Sequence, residues 1–272
     1  MKKKKANTTI ISNNKILVVI TSLILPLLII VLWSVGSNHN WFNASIIPTP
    51  HKIRIQFVKI VEDGSLIKHI VISFRRVIYG YFLGAVAGII LGILIGLYSR
   101  LNQAFIILIG VLRPIPPIAC IPLFILAMGI GETSKIALIF VGAFWPCLLN
   151  TIAGIHQTDA KLVEVAEIFG KNKLVILKDI ILPSALPSIF TGLRLGISTA
   201  WSCVVAAEMI ASTVGIGYLI MYAREMSKPA LLFIGILTIG IIGLIIDLLM
   251  QFLQKKVIYW EAGKGGDYGS RN

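Results

Sequence analysis

Six stretches of this chain, 16–35, 77–98, 104–128, 136–155, 189–211 and 230–254, are each long and apolar enough to cross a lipid bilayer. A hydrocarbon core about 30 Å thick needs about 20 residues of helix. Inside it no water satisfies the backbone, so only helices or closed barrels span it. The runs are too long, and alternate too little, for barrel strands of about 10 residues. They predict an all-α integral membrane protein with six transmembrane helices. At 272 residues one or two water-soluble domains would be the default, but 57% hydrophobic against 14% charged residues excludes it. The mean hydropathy of +0.89 points the same way.

Charge sets orientation. The formal net charge of +13 sits in no basic helix interleaved with aromatics, so no nucleic-acid partner is expected. Of the 25 Lys and Arg, fourteen fall in the segments assigned inside and nine in those assigned outside, which places both termini in the cytoplasm. Residues 1–15, beginning MKKKK, form a basic cytoplasmic N-terminus, and 16–35 reads as a first span rather than a cleaved leader, being long for one. Residues 36–74 are expected to be a polar extracytoplasmic connection, with 53–61 either strand or helix. Arg75 and Arg76 count with the outer charges. Residues 255–272 form a cytoplasmic tail. Cys120, Cys147 and Cys203 fall within apolar spans without metal-ligand spacing, so they read as small packing residues and no metal site is expected.

The second span carries Gly80, Gly84, Gly88, Gly92 and Gly96. That spacing puts all five on one helix face, where a second helix backbone can approach closely. After a short inner turn at 99–103, Pro114, Pro116, Pro117 and Pro122 break the third span. Its freed carbonyls need protein or a water-filled cavity. Arg113 is either a buried functional charge or a residue snorkelling to the interface. In the fifth span Arg194, Ser198, Trp201, Glu208 and Ser212 lie within about 40° of one line on the helix. That line is expected to face inward because a lipid-facing glutamate is costly, with structural ion pairing as the rival role for Glu208. Residues 214–229 read as an outer loop, and Gly240, Gly243 and Asp247 share a face of the sixth span.

Between spans four and five, residues 156–188 are polar enough to belong in water. Leu162, Val165, Ala166 and Phe169 recur at helical spacing. Asp159 suits an N-cap and Gly170 a left-handed stop. A second short helix is expected from about Asn172, burying Leu174, Leu177 and Ile181 and halting before Pro183.

The order Glu164, Val165, Ala166, Gly170, Ile180, Leu182, Pro183 resembles the E-x-A-x3-G-x9-I-x-L-P loop of ABC importer permeases, with Val165 in place of the middle alanine. Pro114-Ile115-Pro116-Pro117, Gly129-Ile130-Gly131-Glu132, Ala206-Ala207-Glu208-Met209 and Gly215-Ile216-Gly217-Tyr218 are similar to the nitrate/sulfonate/taurine/bicarbonate branch. The resemblance implies a type I importer permease domain over 75–254 in the cell membrane. Its coupling helix would seat on a cytoplasmic ATPase dimer through Glu164, Val165, Ala166, Phe169, Gly170, Ile180, Leu182 and Pro183. It further implies a second copy of the permease, an extracytoplasmic solute-binding protein and contact with membrane lipid. Arg113, Pro114, Pro116, Pro117, Arg194, Ser198, Trp201, Glu208 and Asp247 are the candidates for the translocation path of a small anion. No G-x-x-x-x-G-K-[ST] occurs, so no cofactor and no catalytic residue are expected here; Mg-ATP would bind the partner subunit. The rival is a stand-alone secondary transporter or channel, which would need inverted repeats or a charged relay across several spans.

Overall fold

The computed structural model describes residues 21, 23–37, 39, 41–43 and 46–259, and among these every regular element is helical. The basic N-terminus 1–15, residues 16–20 and 22 of the first expected span, and residues 260–272 of the tail lie outside that set. Helix α1 (Leu23–Ser37) is the described part of the first expected span. Next come α2 (Pro50–Glu62), α3 (Ser65–Leu97) and α4 (Ser99–Leu112). A 3-10 turn (Pro117–Cys120) leads into α5 (Ile121–Met128) and then α6 (Glu132–His156). The chain ends through α7 (Ala160–Ile168), α8 (Lys173–Ile176), a π turn (Leu177–Ile181), α9 (Leu182–Ala211), α10 (Ile216–Glu225) and α11 (Pro229–Val257). Among the described residues four helical stretches are long and apolar enough to cross a membrane, and α4 with 117–128, bent by 82° at the proline break, makes a fifth if the pair is counted as one span.

Helices α3, α6 and α9 form the centre of the bundle. The glycine stripe explains how α3 and α6 come together. A Cβ on Gly84 would stand 2.5 Å from the carbonyl oxygen of Phe140, and one on Gly88 2.7 Å from that of Phe144. Only hydrogen at these positions lets the two backbones meet. Dispersion attraction along the close-packed seam then replaces the hydrophobic drive that lipid cannot supply. Cysteines serve the same end between α6 and α9: Cys203 of α9 packs against Gly142 and Cys147 of α6 against Gly196, both thiols buried and free.

Four expectations need correction. In the connection assigned to 36–74, α2 at 50–62 takes the helical of the two readings open for 53–61, and the correction is that α3 starts at Ser65 rather than 77. Thr49 caps α2 by accepting from the Lys52 N–H (3.3 Å), and Gly64, with φ +70, turns the chain into α3. Asp63 accepts from the Ser65 hydroxyl and N–H (2.6 and 2.9 Å), bonds that hold its carboxyl below the usual range. The polar residues that made this segment read as a polar connection are its caps and outward faces, while Ile53, Ile60 and Leu66 pack with Leu219, Leu231 and Ile234. The inner turn at 99–103 is the start of α4, and the outer loop at 214–229 contains the ten-residue α10.

The fourth correction concerns Pro183. The helix begun at Asn172 does not halt before it; Lys173–Ala211 runs on as one apolar stretch of 39 residues. The π turn carries the chain from α8 into α9, and Pro183 falls in the first turn of α9. Having no N–H, Pro183 leaves a gap in the hydrogen-bond ladder, and the π turn just before it accommodates that gap.

Candidate functional site

The two ends of the bundle carry different constellations. At one end, α6 leads into the α7–α8 elbow. The Asp159 side chain accepts from the Lys161 N–H (3.0 Å) and caps α7. Gly170, at φ +67, closes it: its N–H donates to the Glu167 carbonyl (2.9 Å) and the Lys171 N–H to that of Ala166 (3.0 Å). This six-to-one bond with a left-handed residue is the Schellman stop. Asn172 then caps α8 through the Leu174 N–H (3.3 Å).

The elbow leaves its apolar stripe open. Of Leu162, Val165, Ala166 and Phe169 only Ala166 is buried, and Phe169 is 77% exposed. Leu174, expected inside, is 71% exposed; Ile176 is buried in its place. Between α7 and the start of α9 lies a cavity of about 530 Å³, lined by Leu162, Val165, Ala166, Phe169, Ile180 and Pro183 among others. Glu164 is exposed, and Leu182 is half-buried.

At the opposite end, ionic groups are enclosed. Glu208 on α9 is 1% exposed and Arg76 on α3 4%. Arg76 Nη1 donates to Glu208 Oε1 (2.7 Å) and to the Val214 carbonyl (2.7 Å). Its Nε and Nη2 fork onto Glu132 at 2.7 and 2.6 Å, and Lys135 reaches the same carboxylate at 3.1 Å. Three successive amides at the start of α10 are also satisfied from other helices. Gly215 N–H donates to His69 Nδ1 (3.0 Å), Ile216 N–H to Ser73 Oγ (2.9 Å) and Gly217 N–H to Glu208 Oε2 (3.0 Å). A carboxylate at a helix N-terminus meets both unpaired donors and the positive end of the helix dipole. Gly215 must be glycine twice over: its φ is +130, and a Cβ would strike the Glu208 carboxylate.

The fifth-span stripe therefore divides. Glu208 is spent on ion pairing and capping. Trp201 is a buried packing wall, its Nε1 donating to the Ile239 carbonyl (3.2 Å) and its ring lying against Gly243. Arg194 pairs with Asp247 on α11 through two bonds of 2.6 and 3.0 Å, a half-exposed pair that Gln251 supports. Ser198 is exposed, and its hydroxyl donates back to the Arg194 carbonyl (3.0 Å). Ser212 donates to the Val214 carbonyl (2.6 Å). At the proline break Arg113, Pro114 and Pro116 are exposed and Pro117 half-buried, so Arg113 is no buried charge within this chain.

Sequence reasoning misses Arg76, which by position alone falls among the outer charges. The usable signal is register: Arg76 precedes Gly80 by four residues, so the glycine periodicity extended backward places it on the face that meets α6.

Comparison with known proteins adds an independent line. Residues 84–259 match the family model described as the binding-protein-dependent transport system inner membrane component. A putative ABC transporter permease of Methanocaldococcus jannaschii is 41% identical, over 87% of this chain and 90% of that protein. A putative aliphatic sulfonates transport permease of Bacillus subtilis is 39% identical, over 87% and 86%. Among solved structures, the MetNI methionine ABC transporter in an inward facing conformation superposes with a TM-score of 0.60, over 72% of this chain and 95% of that chain at 18% identity. At that identity the likeness speaks to the fold.

Proposed function

This chain belongs to the family of binding-protein-dependent transport system inner membrane components, and from that membership we propose how it couples and what it carries. It is an ABC importer permease. Two copies pair in the membrane, each seating its α7–α8 elbow on one of two cytoplasmic ATPase subunits that bind Mg-ATP, and an extracytoplasmic binding protein delivers the solute. The observation that carries this reading is the open apolar cavity of about 530 Å³ at the elbow. Exposed apolar surface on a water-facing segment marks a protein interface.

The solute class is a small anion of the sulfonate kind, a reading supported by the sulfonate permease relative. The path runs along the side of α9 that carries Ser198 and the Arg194–Asp247 pair, because Trp201 and Glu208 are occupied inside the chain. Within that pair the guanidinium is already neutralised, so an anion would have to compete with Asp247 for it.

The elbow is tested with Gly170→Val and Glu164→Lys, following ATPase co-purification and solute uptake. Both variants are expected to reach the membrane and to lose ATPase and uptake together; wild-type assembly and transport in both would refute the docking role. The solute class is tested separately, by thermal stabilisation of the cognate binding protein with an alkanesulfonate. An unchanged melting temperature across sulfonates would remove that assignment while leaving the docking role intact.

A further inference from the structure

Arg75 and Arg76 are neighbours in sequence with opposite fates. Arg76 turns into the bundle, where both oxygens of Glu132 and one of Glu208 engage it. Arg75 turns outward, is exposed, and stacks its guanidinium over the Tyr79 ring, 5.8 Å from carbon to centroid. Among the described residues no carboxylate pairs with it. Glu132, the nearest acid in this network, is already shared between Arg76 and Lys135.

Depth matters as much as direction. Arg75 precedes Leu97, the last residue of α3, by 22 positions. At 1.5 Å per residue that is about 33 Å, close to the roughly 30 Å of a hydrocarbon core. Leu97 is followed by Ser99 and Arg100, so Arg75 stands where the apolar layer ends on the other side. Tyr79, one turn deeper, suits the interfacial belt. Two open cavities of about 350 Å³ each flank this arginine. One is lined by Ile72, Tyr79 and Ile136 together with the paired Arg76 and Glu132, the other is apolar along Val71, Phe74 and Ile78.

We propose that this face of α3 is a binding site for an anionic phospholipid, with the headgroup phosphate on Arg75 and an acyl chain in the flanking grooves. A guanidinium at the hydrocarbon boundary gains most from a bidentate anion, and a phosphodiester offers one at that depth. Ile78 and Tyr79 are the groove walls on this helix that lie deeper than Arg75, and they give a chain its first contacts toward the bilayer centre, while Val71 and Phe74 lie on the outer side of the arginine. A free inorganic anion would use the arginine and leave the grooves to other lipids.

The test is native mass spectrometry of the intact detergent-purified chain, titrated with phosphatidylglycerol and with phosphatidylcholine of the same acyl chains. Phosphatidylglycerol is expected to be retained in preference. Arg75→Gln is expected to lower its retention about five-fold, with Arg75→Lys between the two. Arg100→Gln, exposed at the other end of the span, is expected to leave retention unchanged. Gel filtration of each variant verifies folding, which an outward side chain does not control. Equal retention of the two lipids, or wild-type retention by Arg75→Gln, overturns the proposal. Displacement of the lipid by millimolar inorganic phosphate would instead assign a soluble-anion site. A disulfide between two Arg75→Cys chains in membranes would assign the face to a second copy. Either result also overturns it.

Discussion

At one end of the bundle a carboxylate, Glu208, is 1% exposed and surrounded by donors; at the other a phenyl ring, Phe169, is 77% exposed with most of its surface open. Each inverts the usual distribution, in which charge faces water and aromatics are buried. The enclosed end is complete within one chain. Arg76 and Glu132 come from α3 and α6, Glu208 from α9, and the capped amides from α10, so four helices are fixed by one network. The open end lacks such closure, and its turns are nevertheless built with care: a capped α7, a left-handed Gly170 and a capped α8. A rigid elbow presenting unburied apolar groups is a surface shaped for a partner. Damage at the enclosed end should therefore unfold the chain, while damage at the open end should uncouple it.

The largest expected effect is at Glu208. Glu208→Leu leaves Arg76 with Glu132 and the Val214 carbonyl and strips the acceptor from Gly217 N–H. Removing one partner of a buried pair costs about 3–5 kcal/mol. The variant should lose monodispersity in gel filtration or show a large fall in thermal midpoint, while Glu208→Gln, which keeps an acceptor for Gly217, should fall less. A Glu208→Leu chain as stable as wild type would break the contrast between the two ends at its root.

Next in size is the glycine seam. Gly84→Val forces a Cβ to 2.5 Å from the Phe140 carbonyl oxygen, a backbone atom that cannot swing aside, whereas Gly240 in α11 has nothing within 4 Å. Overpacking of this kind costs about 1–3 kcal/mol, while Gly240→Ala should leave stability level or raise it by up to about 1 kcal/mol, since alanine is the better helix former. Paired thermal melts check the sign difference; equal losses at both sites would mean that close approach to α6 is not what the stripe provides.

These sites show what could be read from the sequence and what could not. Glycines every four residues announce a helix seam because periodicity is local information. The Arg194, Trp201, Glu208 spacing likewise announces an inward side, but not which residue each meets. Arg76, Asp247 and Ile239 lie 132, 53 and 38 residues away from their respective partners, and only the packed bundle selects them. Helix α10 was hidden for a similar reason. Its first amides are capped by His69, Ser73 and Glu208 from other elements, so no local capping residue marks its start. The elbow was legible almost residue by residue, since Asp159, Gly170 and Asn172 act within a few positions of themselves. Its onward course was not, because the π turn that admits Pro183 leaves no composition signal.

A smaller effect is expected at Trp201, which separates a packing wall from a solute contact. Trp201→Phe keeps most of the buried ring against Gly243 but loses the bond to the Ile239 carbonyl. A single hydrogen bond contributes about 0.5–1.5 kcal/mol. The melt should fall by a few degrees while the uptake KM stays put. A shifted KM with an unchanged melt would move Trp201 from the wall to the path.

The smallest effect on the isolated chain is expected at Phe169, and there the comparison is sharpest. The ring lies on the open elbow and shares its cavity with Val165 and Ile180, yet most of its surface meets solvent in the free chain. Replacing it with serine gives up little burial, so the stability of purified Phe169→Ser should stay within about 0.5 kcal/mol of wild type, as for ordinary surface substitutions. Against the ATPase the arithmetic reverses. An aromatic anchor at the centre of an interface contributes about 2 kcal/mol or more, which is a loss of about 30-fold in affinity at 25 °C. Binding of purified ATPase to reconstituted wild-type and Phe169→Ser permease measures that ratio directly. A variant that melts early would show the elbow to be part of the folding core, and one that binds ATPase at full affinity would move the contact to another face of α7.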